Sequence, residues 1–193
     1  MSNGKSITHE IWLVRHGETE WSRSGQHTSR TDLPLTPQGE ERARRVGKLL
    51  DGRKFALVLS SPMRRALDTC RLAGFTPGIS EDLHEWDYGQ YEGLTTAQIQ
   101  QTAPGWTIWT APPKGGETIE QVSARAERIV ARALQADGDV ALFGHGHMLR
   151  ILAARWVDAS PNWGRALALA TGSVSVLGWE HDWRVIRLWS QVA

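Results

Sequence analysis

Two short apolar runs in the chain each lead directly into a histidine. Arg15 and His16 follow the run at residues 11–14, and His145 comes shortly after the run at 139–143. A guanidinium binds phosphate through a planar fork of donors, and a neutral imidazole beside it can attack phosphorus to form a covalent phosphohistidine. The Arg15 and His16 pair therefore points to phosphoryl transfer, although a purely structural histidine would have the same local sequence.

This chemistry requires the two runs to end close together. Each run is apolar, has the length of a strand and lacks helical periodicity, which predicts a buried parallel strand. In open α/β sheets, ligands bind outside the carboxyl ends of the strands, where Arg15, His16 and His145 would lie. Gly17 allows the backbone to turn tightly after the first strand. A further strand is predicted over 55–59, and a hairpin over 173–179 and 184–189.

Capping residues and apolar periodicity predict the helices that flank these strands. The predicted helices begin at Pro37 after the cap Thr36, at Pro62 after the cap Ser61, at 96, after the capping box of Thr118 with Gln121, and at 148. Alternating strands and helices predict an α/β fold. We expect one domain spanning 1–193, a three-layer α/β/α sandwich with a mostly parallel central sheet, after a loose leader at 1–7.

The overall composition limits the location and the partners of the protein. The 193 residues carry a net charge of +1, with 40% hydrophobic and 22% charged residues, so no broad positive field would attract nucleic acid or an anionic membrane. The single cysteine, Cys70, excludes an internal disulfide, and no apolar run approaches the roughly 20 residues of a membrane-spanning helix. The sequence therefore predicts a soluble cytoplasmic protein that binds neither nucleic acid nor membrane.

Five motifs, in order between residues 11 and 150, resemble those of the histidine phosphatase superfamily, also called phosphoglycerate-mutase-like. They are Arg15-His16-Gly17-Glu18-Thr19, Leu35-Thr36-x-x-Gly39, Ser61-Pro62-Met63-Arg64-Arg65-Ala66, Leu83-His84-Glu85 with Tyr91-Glu92-Gly93, and Gly144-His145-Gly146. Five ordered motifs are far more specific than any one of them. The resemblance implies the phosphoglycerate-mutase-like fold and a reaction through a phosphohistidine.

The resemblance also assigns catalytic roles to particular residues. His16 matches the nucleophile, and Arg15, Arg65 and His145 match the residues of the phosphate pocket. Glu85 matches the proton donor, which protonates the leaving alkoxide and then activates water, with Asp87 and Glu92 as competing candidates. No metal and no cofactor is implied. His145-x-His147 could instead be a metal pair, but no nearby ligand cluster in the sequence completes such a site.

Other residues are expected to contact the phosphate or the rest of the substrate. Ser22 stands where many members carry an asparagine that contacts phosphate, and it can still donate one hydrogen bond. The other predicted contacts are Gln26, Thr28, Ser29, Tyr88, Gly146 and His147. The loops at 24–35 and 85–89 resemble those of a branch that contains acid phosphatases and sugar bisphosphatases. Trp106 and Trp109 would stack on a sugar or an aromatic leaving group, or simply pack.

The favoured function is therefore metal-independent hydrolysis of a small phosphorylated metabolite, a sugar phosphate or bisphosphate. The chief alternative is phosphoglycerate mutase, which uses the same phosphohistidine. Mutases of this family hold a carboxylated substrate with extra cations, whereas Lys114 is the only basic residue from 86 to 124 and Gln26 replaces the family's arginine. A third alternative is a non-catalytic module that binds a phosphorylated ligand. The terminal hairpin and its tryptophans are compatible with a homodimer.

Overall fold

A six-stranded sheet forms the centre of the protein. The computed structural model describes residues 9–192, so the predicted leader at 1–7 lies outside the described residues. The strands are β1 (Ile11–Arg15), β2 (Leu57–Ser60), β3 (Gly78–Ile79), β4 (Val140–Gly144), β5 (Ser173–Glu180) and β6 (Trp183–Val192). Their order is β3-β2-β4-β1-β5-β6, in which β3, β2, β4 and β1 are parallel, while β5 and β6 are antiparallel to their neighbours. The predicted mostly parallel sheet is confirmed.

Helices cover both faces of this sheet. They are α1 (Glu20–Ser24), α2 (Pro37–Leu49), α3 (Arg64–Leu72), α4 (Thr96–Thr102), α5 (Ile119–Leu134) and α6 (Gly146–Trp156), with 3₁₀ helices at Glu81–Leu83, Gly89–Tyr91 and Pro161–Ala166. Successive residues of a strand point to opposite faces, so Trp12 and Val14 pack with α2 and α3, while Ile11 and Leu13 pack with α5 and α6. The three predicted layers, α/β/α, follow from this alternation.

The pairing of β1 with β4 brings the two histidine segments together. The strands run parallel, with Arg15 opposite Gly144, and the peptide N–H of His16 donates to the carbonyl of Gly144 at 3.0 Å. His145 is the residue that caps α6, which begins at Gly146. The carboxyl ends of both strands and the amino end of α6 therefore meet at one place.

Several element boundaries differ from the sequence prediction. The third helix begins at Arg64 rather than at Pro62, and Met63 precedes it without a side-chain cap. Ser61, the predicted cap, directs its hydroxyl to within 2.8 Å of His145 Nε2 instead. Helix α6 begins at Gly146, two residues before the predicted start, and the short helix α1 is absent from the predicted helices. The short strand β3 and the 3₁₀ helix at Pro161–Ala166 are not predicted, because their sequences show no apolar periodicity.

Two glycines allow the turn after β1 to pack directly on the start of α2. The peptide N–H of Thr36 donates to the Glu18 carbonyl at 2.9 Å, and the Thr36 hydroxyl accepts from the N–H of Gly39 at 3.0 Å. A Cβ on Gly39 would lie 2.1 Å from the Glu18 carbonyl oxygen, and one on Gly17 would lie 2.4 Å from the Gly39 oxygen. No side chain fits between these backbones.

We therefore expect Gly39→Ala to destabilise the protein, although alanine normally stabilises a helix relative to glycine by up to about 1 kcal/mol. Overpacking of this contact should lower the free energy of unfolding by about 1–3 kcal/mol and reduce turnover, because the displaced backbone leads into His16. Urea denaturation measures the change. Gly138→Ala is the control, since its Cβ would meet only the Ala56 methyl at 3.4 Å. Equal stability of the two variants would contradict the proposed backbone contact.

Candidate active site

His16 lies at the carboxyl end of β1 with 6% of its surface exposed. Its Nδ1 atom is 2.7 Å from the Gly17 carbonyl oxygen, which can only accept a hydrogen bond. Nδ1 therefore carries the proton of the neutral ring, and Nε2 keeps its lone pair. Burial holds the pKa of His16 well below its ordinary value, and the charges of Arg65 and Arg15 lower it further. The ring is thus held in the neutral form that a nucleophile needs.

Arg15 supplies a half-buried guanidinium next to this imidazole. One terminal nitrogen donates to the Leu169 carbonyl at 2.5 Å, and the group lies against the start of α6, where a Cβ on Gly146 would be 3.4 Å from the guanidinium carbon. The Nε atom is buried and has no hydrogen-bond partner among the described residues. Arg15 thus places a cation beside the positive end of a helix, and an anionic ligand there would interact favourably with both.

Both residues line a cavity of about 190 Å³. The other residues that line it are Ser22, Gly25, Gln26, His27, Thr28, Glu85, Tyr88, Gly146, His147, Arg150 and Leu169. Pockets for drug-sized ligands usually measure roughly 300–1,000 Å³, so this space suits a phosphoryl group and a small part of the molecule that carries it. The structure thus brings most of the predicted site residues to one cavity.

Arg65 and His145 lie behind His16 and are not among the residues that line the cavity. Arg65 Nε donates to His145 Nδ1 at 3.2 Å, and its terminal nitrogens donate to the carbonyls of Thr31 at 3.0 Å and Ser29 at 2.9 Å. The rings of His16 and His145 are 5.2 Å apart. The described hydrogen bonds of Arg65 therefore hold the 28–31 loop and His145 in place. Its positive charge lowers the pKa of His16.

Ser29 occupies a different place from the one predicted. It is 1% exposed and does not line the cavity, so the predicted substrate contact at Ser29 is not matched by the structure. Its peptide N–H donates to both carboxylate oxygens of Glu92 at 2.9 Å, and its carbonyl accepts from Arg65. Glu92 also accepts from the N–H of Thr31 at 3.0 Å. This alternative proton donor is therefore engaged in holding the loop, and neither it nor Asp87 lines the cavity.

Glu85, in contrast, faces the cavity with its carboxyl group held by the backbone. One oxygen accepts from the N–H groups of Trp86 and Met148, each at 2.9 Å, and the other accepts from the N–H of His147 at 3.0 Å. Two of these donors belong to the first turn of α6. Three peptide donors fix the orientation of the carboxyl group, and the nearest described side-chain group, His147 Nδ1, is 3.9 Å away.

The segment from Ser22 to Thr28 forms a polar wall of the cavity. The Ser22 hydroxyl belongs to the capping box of α1, since it accepts from the Thr19 N–H at 2.9 Å. Gln26 donates from its side-chain amide to the Gly93 carbonyl at 2.7 Å, and Thr28 donates to the Gln26 carbonyl at 3.2 Å. These hydrogen bonds within the protein hold the side chains of Ser22, Gln26 and Thr28 in place.

An aromatic wall faces this segment. The Tyr88 hydroxyl is 2.6 Å from His147 Nδ1, and burial lowers the pKa of His147 and raises that of Tyr88, so a neutral phenol and a neutral ring share this hydrogen bond. Trp109 lies behind this pair, 5.4 Å from the His147 ring, and does not line the cavity. Trp106 packs on His27 at 5.6 Å and does not line the cavity, so packing is its observed role.

The sequence analysis missed two polar residues of the cavity, His27 and Arg150. Arg150 lies above the Trp109 ring at 4.7 Å and donates to the carbonyls of Gly164 at 2.9 Å and Arg165 at 3.0 Å. It follows Gly146 by four residues in α6, so helical spacing alone places both on one face. His27, by contrast, reaches the site through a loop that has no such period.

Residues 9–192 contain no group of three or more His, Cys, Asp or Glu side chains arranged to hold a metal ion. Cys70 is buried, and burial raises the pKa of its thiol to about 12, as expected for a structural cysteine. None of the helices in the same range is long and apolar enough to cross a membrane.

Comparison with known proteins agrees with this geometry. The family model of the histidine phosphatase superfamily, branch 1, matches residues 11–192. An acid phosphatase of Mycobacterium tuberculosis is 42% identical over 181 residues, covering 91% of this chain and 89% of the relative. The sedoheptulose 1,7-bisphosphatase of Saccharomyces cerevisiae is 36% identical over 185 residues, covering 78% of this chain and 68% of the relative.

Solved structures give the same result. The product of an open reading frame of Mycobacterium tuberculosis superposes with a TM-score of 0.91 at 41% identity, covering 95% of this chain and 98% of the other. A mycobacterial glucosyl-3-phosphoglycerate phosphatase with VO3 superposes with a TM-score of 0.85 at 27% identity, over 94% and 98% of the two chains. The chain belongs to the histidine phosphatase superfamily. It is a phosphatase of the phosphoglycerate-mutase-like fold.

The buried histidines predict that acid destabilises the ligand-free protein. Burial holds the pKa values of His16, His145 and His147 well below the unfolded value of about 6.5. The unfolded chain therefore binds more protons below that pH, so this contribution to stability is complete above it and is lost as pH falls towards the folded values. Each histidine contributes a slope of up to about 1.4 kcal/mol per pH unit.

Thermal unfolding between pH 7.5 and 5.0 checks this prediction. We expect the melting temperature to fall below about pH 6.5, and His147→Asn should make the fall less steep because one titrating group is removed. A melting temperature that stays constant or rises over this interval would show that the histidines are not held neutral by burial.

Proposed function

We propose that this protein hydrolyses phosphate monoesters of small metabolites, with sugar phosphates or bisphosphates as the preferred class. One observation carries the proposal. Arg15, whose only described side-chain hydrogen bond is to the Leu169 carbonyl, lines the same cavity as His16, whose ring is held with Nδ1 protonated and Nε2 free. Arg15 can bind a phosphoryl group in this cavity, and the neutral His16 beside it can attack the phosphorus.

In the first step, the lone pair of His16 Nε2 forms a bond to phosphorus while the bond from phosphorus to the leaving oxygen breaks. Arg15 stabilises the negative charge on the equatorial oxygens and the dipole of α6 adds to this effect, while the N–H groups of His147 and Met148 remain on Glu85. The protonated carboxyl of Glu85 transfers its proton to the departing alkoxide, which leaves as an alcohol. The products of this step are phosphohistidine and a Glu85 carboxylate.

In the second step, the Glu85 carboxylate takes a proton from a water molecule. The water oxygen forms a bond to phosphorus as the phosphorus–nitrogen bond breaks, which releases inorganic phosphate and restores neutral His16. Because Glu85 returns to its protonated form, no external acid or base is consumed. Arg15 and the helix end supply positive charge in both steps, so the scheme requires no metal ion.

The walls of the cavity favour a polyhydroxylated substrate. Neutral hydrogen-bond donors and acceptors that suit sugar hydroxyls line the cavity, namely Gln26, His27, Thr28 and the Tyr88–His147 pair. Arg150 adds a second cation. Two relatives support this class, since one is a sedoheptulose 1,7-bisphosphatase and another is a glucosyl-3-phosphoglycerate phosphatase.

Phosphoglycerate mutase activity is the second candidate, and Arg150 is the observation that favours it. A 2,3-bisphosphoglycerate-dependent mutase of Cytophaga hutchinsonii is 30% identical over 177 residues, and a guanidinium in the cavity can hold a carboxylate or a second phosphate. Arg150 shares its donors with two backbone carbonyls, and Gln26 replaces the family's arginine, so net hydrolysis remains the favoured reaction.

Location and assembly also remain proposals. We place the protein in the cytoplasm on the basis of its single cysteine, Cys70. We propose a homodimer through β6, whose Trp183 is 77% exposed at the end of the sheet. A monomeric mass in solution at micromolar concentration would exclude this assembly.

A phosphate-release screen tests the substrate class. We expect sugar phosphates and bisphosphates to be hydrolysed faster than 3-phosphoglycerate or phosphoproteins, with unchanged rates in the presence of a chelator. Conversion of 3-phosphoglycerate to 2-phosphoglycerate with 2,3-bisphosphoglycerate present is measured in parallel. Mutase turnover faster than phosphate release would favour the second candidate, and loss of activity on chelation would refute the metal-independent scheme.

The role of Glu85 predicts a selective defect. Glu85→Gln should lower kcat/KM for a sugar phosphate by roughly 10²–10⁴-fold, because a poor alkoxide leaving group needs the proton. Hydrolysis of p-nitrophenyl phosphate should fall far less, since p-nitrophenolate departs with little proton assistance. Steady-state kinetics on both substrates measure the ratio. An equal loss on both would mean that Glu85 positions water or substrate instead.

A further inference from the structure

The segment that carries Glu85 is held in place by a pair of charged residues outside the cavity, Arg125 and Glu117. Arg125 lies in α5, and Glu117 precedes the cap of that helix. Their side chains form a two-point ion pair, with Arg125 Nε 2.9 Å and one terminal nitrogen 2.7 Å from the two carboxylate oxygens. Neither lines the cavity, and their side chains are only 12% and 22% exposed.

Arg125 binds the chain on the amino-terminal side of Glu85. Its other terminal nitrogen donates to the carbonyl of Asp82 at 2.8 Å and to that of His84 at 2.9 Å. The nitrogen that pairs with Glu117 also lies 3.4 Å from the Glu85 carbonyl. One planar guanidinium thus connects α5 to three backbone carbonyls within residues 82–85 and to a carboxylate, a geometry that the single ammonium of lysine cannot reproduce.

Glu117 binds the chain on the carboxyl-terminal side of Glu85. Its carboxylate accepts from the N–H of Asp87 at 3.0 Å, and its own N–H donates to the Asp87 carbonyl at 3.0 Å. Its carbonyl accepts from the indole N–H of Trp86 at 2.9 Å. The two members of the ion pair therefore hold the backbone on either side of Glu85, while the carboxyl group itself contacts the first turn of α6.

We propose that Arg125 and Glu117 are positioning residues for proton transfer by Glu85. The inference rests on the proposed proton-donor role of Glu85 and adds the part of the fold that aims it. A donor must lie within hydrogen-bond reach of the leaving oxygen, and a shift of about 1 Å can cost about 10²-fold in rate. The pair fixes the segment through backbone contacts, so its loss should affect the step that Glu85 performs and spare the attack by His16.

The variant Arg125→Lys tests this inference, because it keeps the charge and loses the fork. We expect kcat/KM for a sugar phosphate that the wild-type enzyme hydrolyses to fall about 10- to 100-fold, with a change of less than about threefold for p-nitrophenyl phosphate. Glu117→Gln, which retains the backbone contacts of residue 117, should produce the same selectivity to a smaller extent. Thermal unfolding of each variant confirms that the enzyme assayed is folded.

Arg128→Lys is the matched control. Arg128 lies one turn further along α5 and also reaches the segment, but it pairs with the Asp82 carboxylate at 3.1 Å, is 58% exposed and makes no contact to residues 84–87 among its described hydrogen bonds. We expect unchanged kinetics on both substrates. A selective loss equal to that of Arg125→Lys would overturn the assignment to Arg125.

The double variant with Glu85→Gln separates positioning from general loss of structure. If Arg125 acts through Glu85, adding Arg125→Lys to Glu85→Gln should leave the ratio of the two substrate rates unchanged. A further fall in that ratio, or an equal loss on both substrates in the single variant, would overturn the inference while the proton-donor role stands. If Glu85→Gln alone is not selective, the proton-donor role is wrong and the inference falls with it.

Discussion

The site depends above all on the parallel pairing of β1 with β4. This register sets Arg15 opposite Gly144, so both strands end at the same edge of the sheet. His16 therefore follows the buried strand β1, and the amino end of α6 follows β4 at the same place. Gly17 and Gly39 complete the arrangement, because only glycine allows the turn after β1 to touch the start of α2.

Burial then gives these groups their chemical state. His16 is held neutral mainly because water is excluded, and the neighbouring guanidinium groups of Arg65 and Arg15 add to this effect. The two arginines have different tasks in the structure, since Arg15 lines the cavity while the described hydrogen bonds of Arg65 go to loop carbonyls and to His145. One arginine thus faces the ligand and the other holds the site together. A site built in this way obtains its positive charge from side chains and a helix end.

Much of this arrangement could be predicted from local sequence. The capping box at Thr118 and the cap at Thr36 with Pro37 mark their helices correctly, because the interactions they predict lie within one turn. The same reasoning fails at Ser61, whose hydroxyl takes part in a contact with His145, 84 residues away. Ser29 likewise serves the loop rather than the ligand, since its partners come from distant segments. Local patterns cannot reveal such contacts. Arg150 is different, because its helical spacing from Gly146 was available in the sequence.

The central claim is that His16 carries the phosphoryl group on Nε2 during turnover. Rapid quenching of the enzyme with a radiolabelled phosphate ester, followed by mass spectrometry and phosphorus NMR of the trapped protein, tests it directly. We predict acid-labile label on His16 with the phosphorus bonded to Nε2, because Nδ1 donates to the Gly17 carbonyl, and no label in His16→Ala. Label on His27, His145, His147 or a non-histidine residue, or turnover by His16→Ala, would contradict the account.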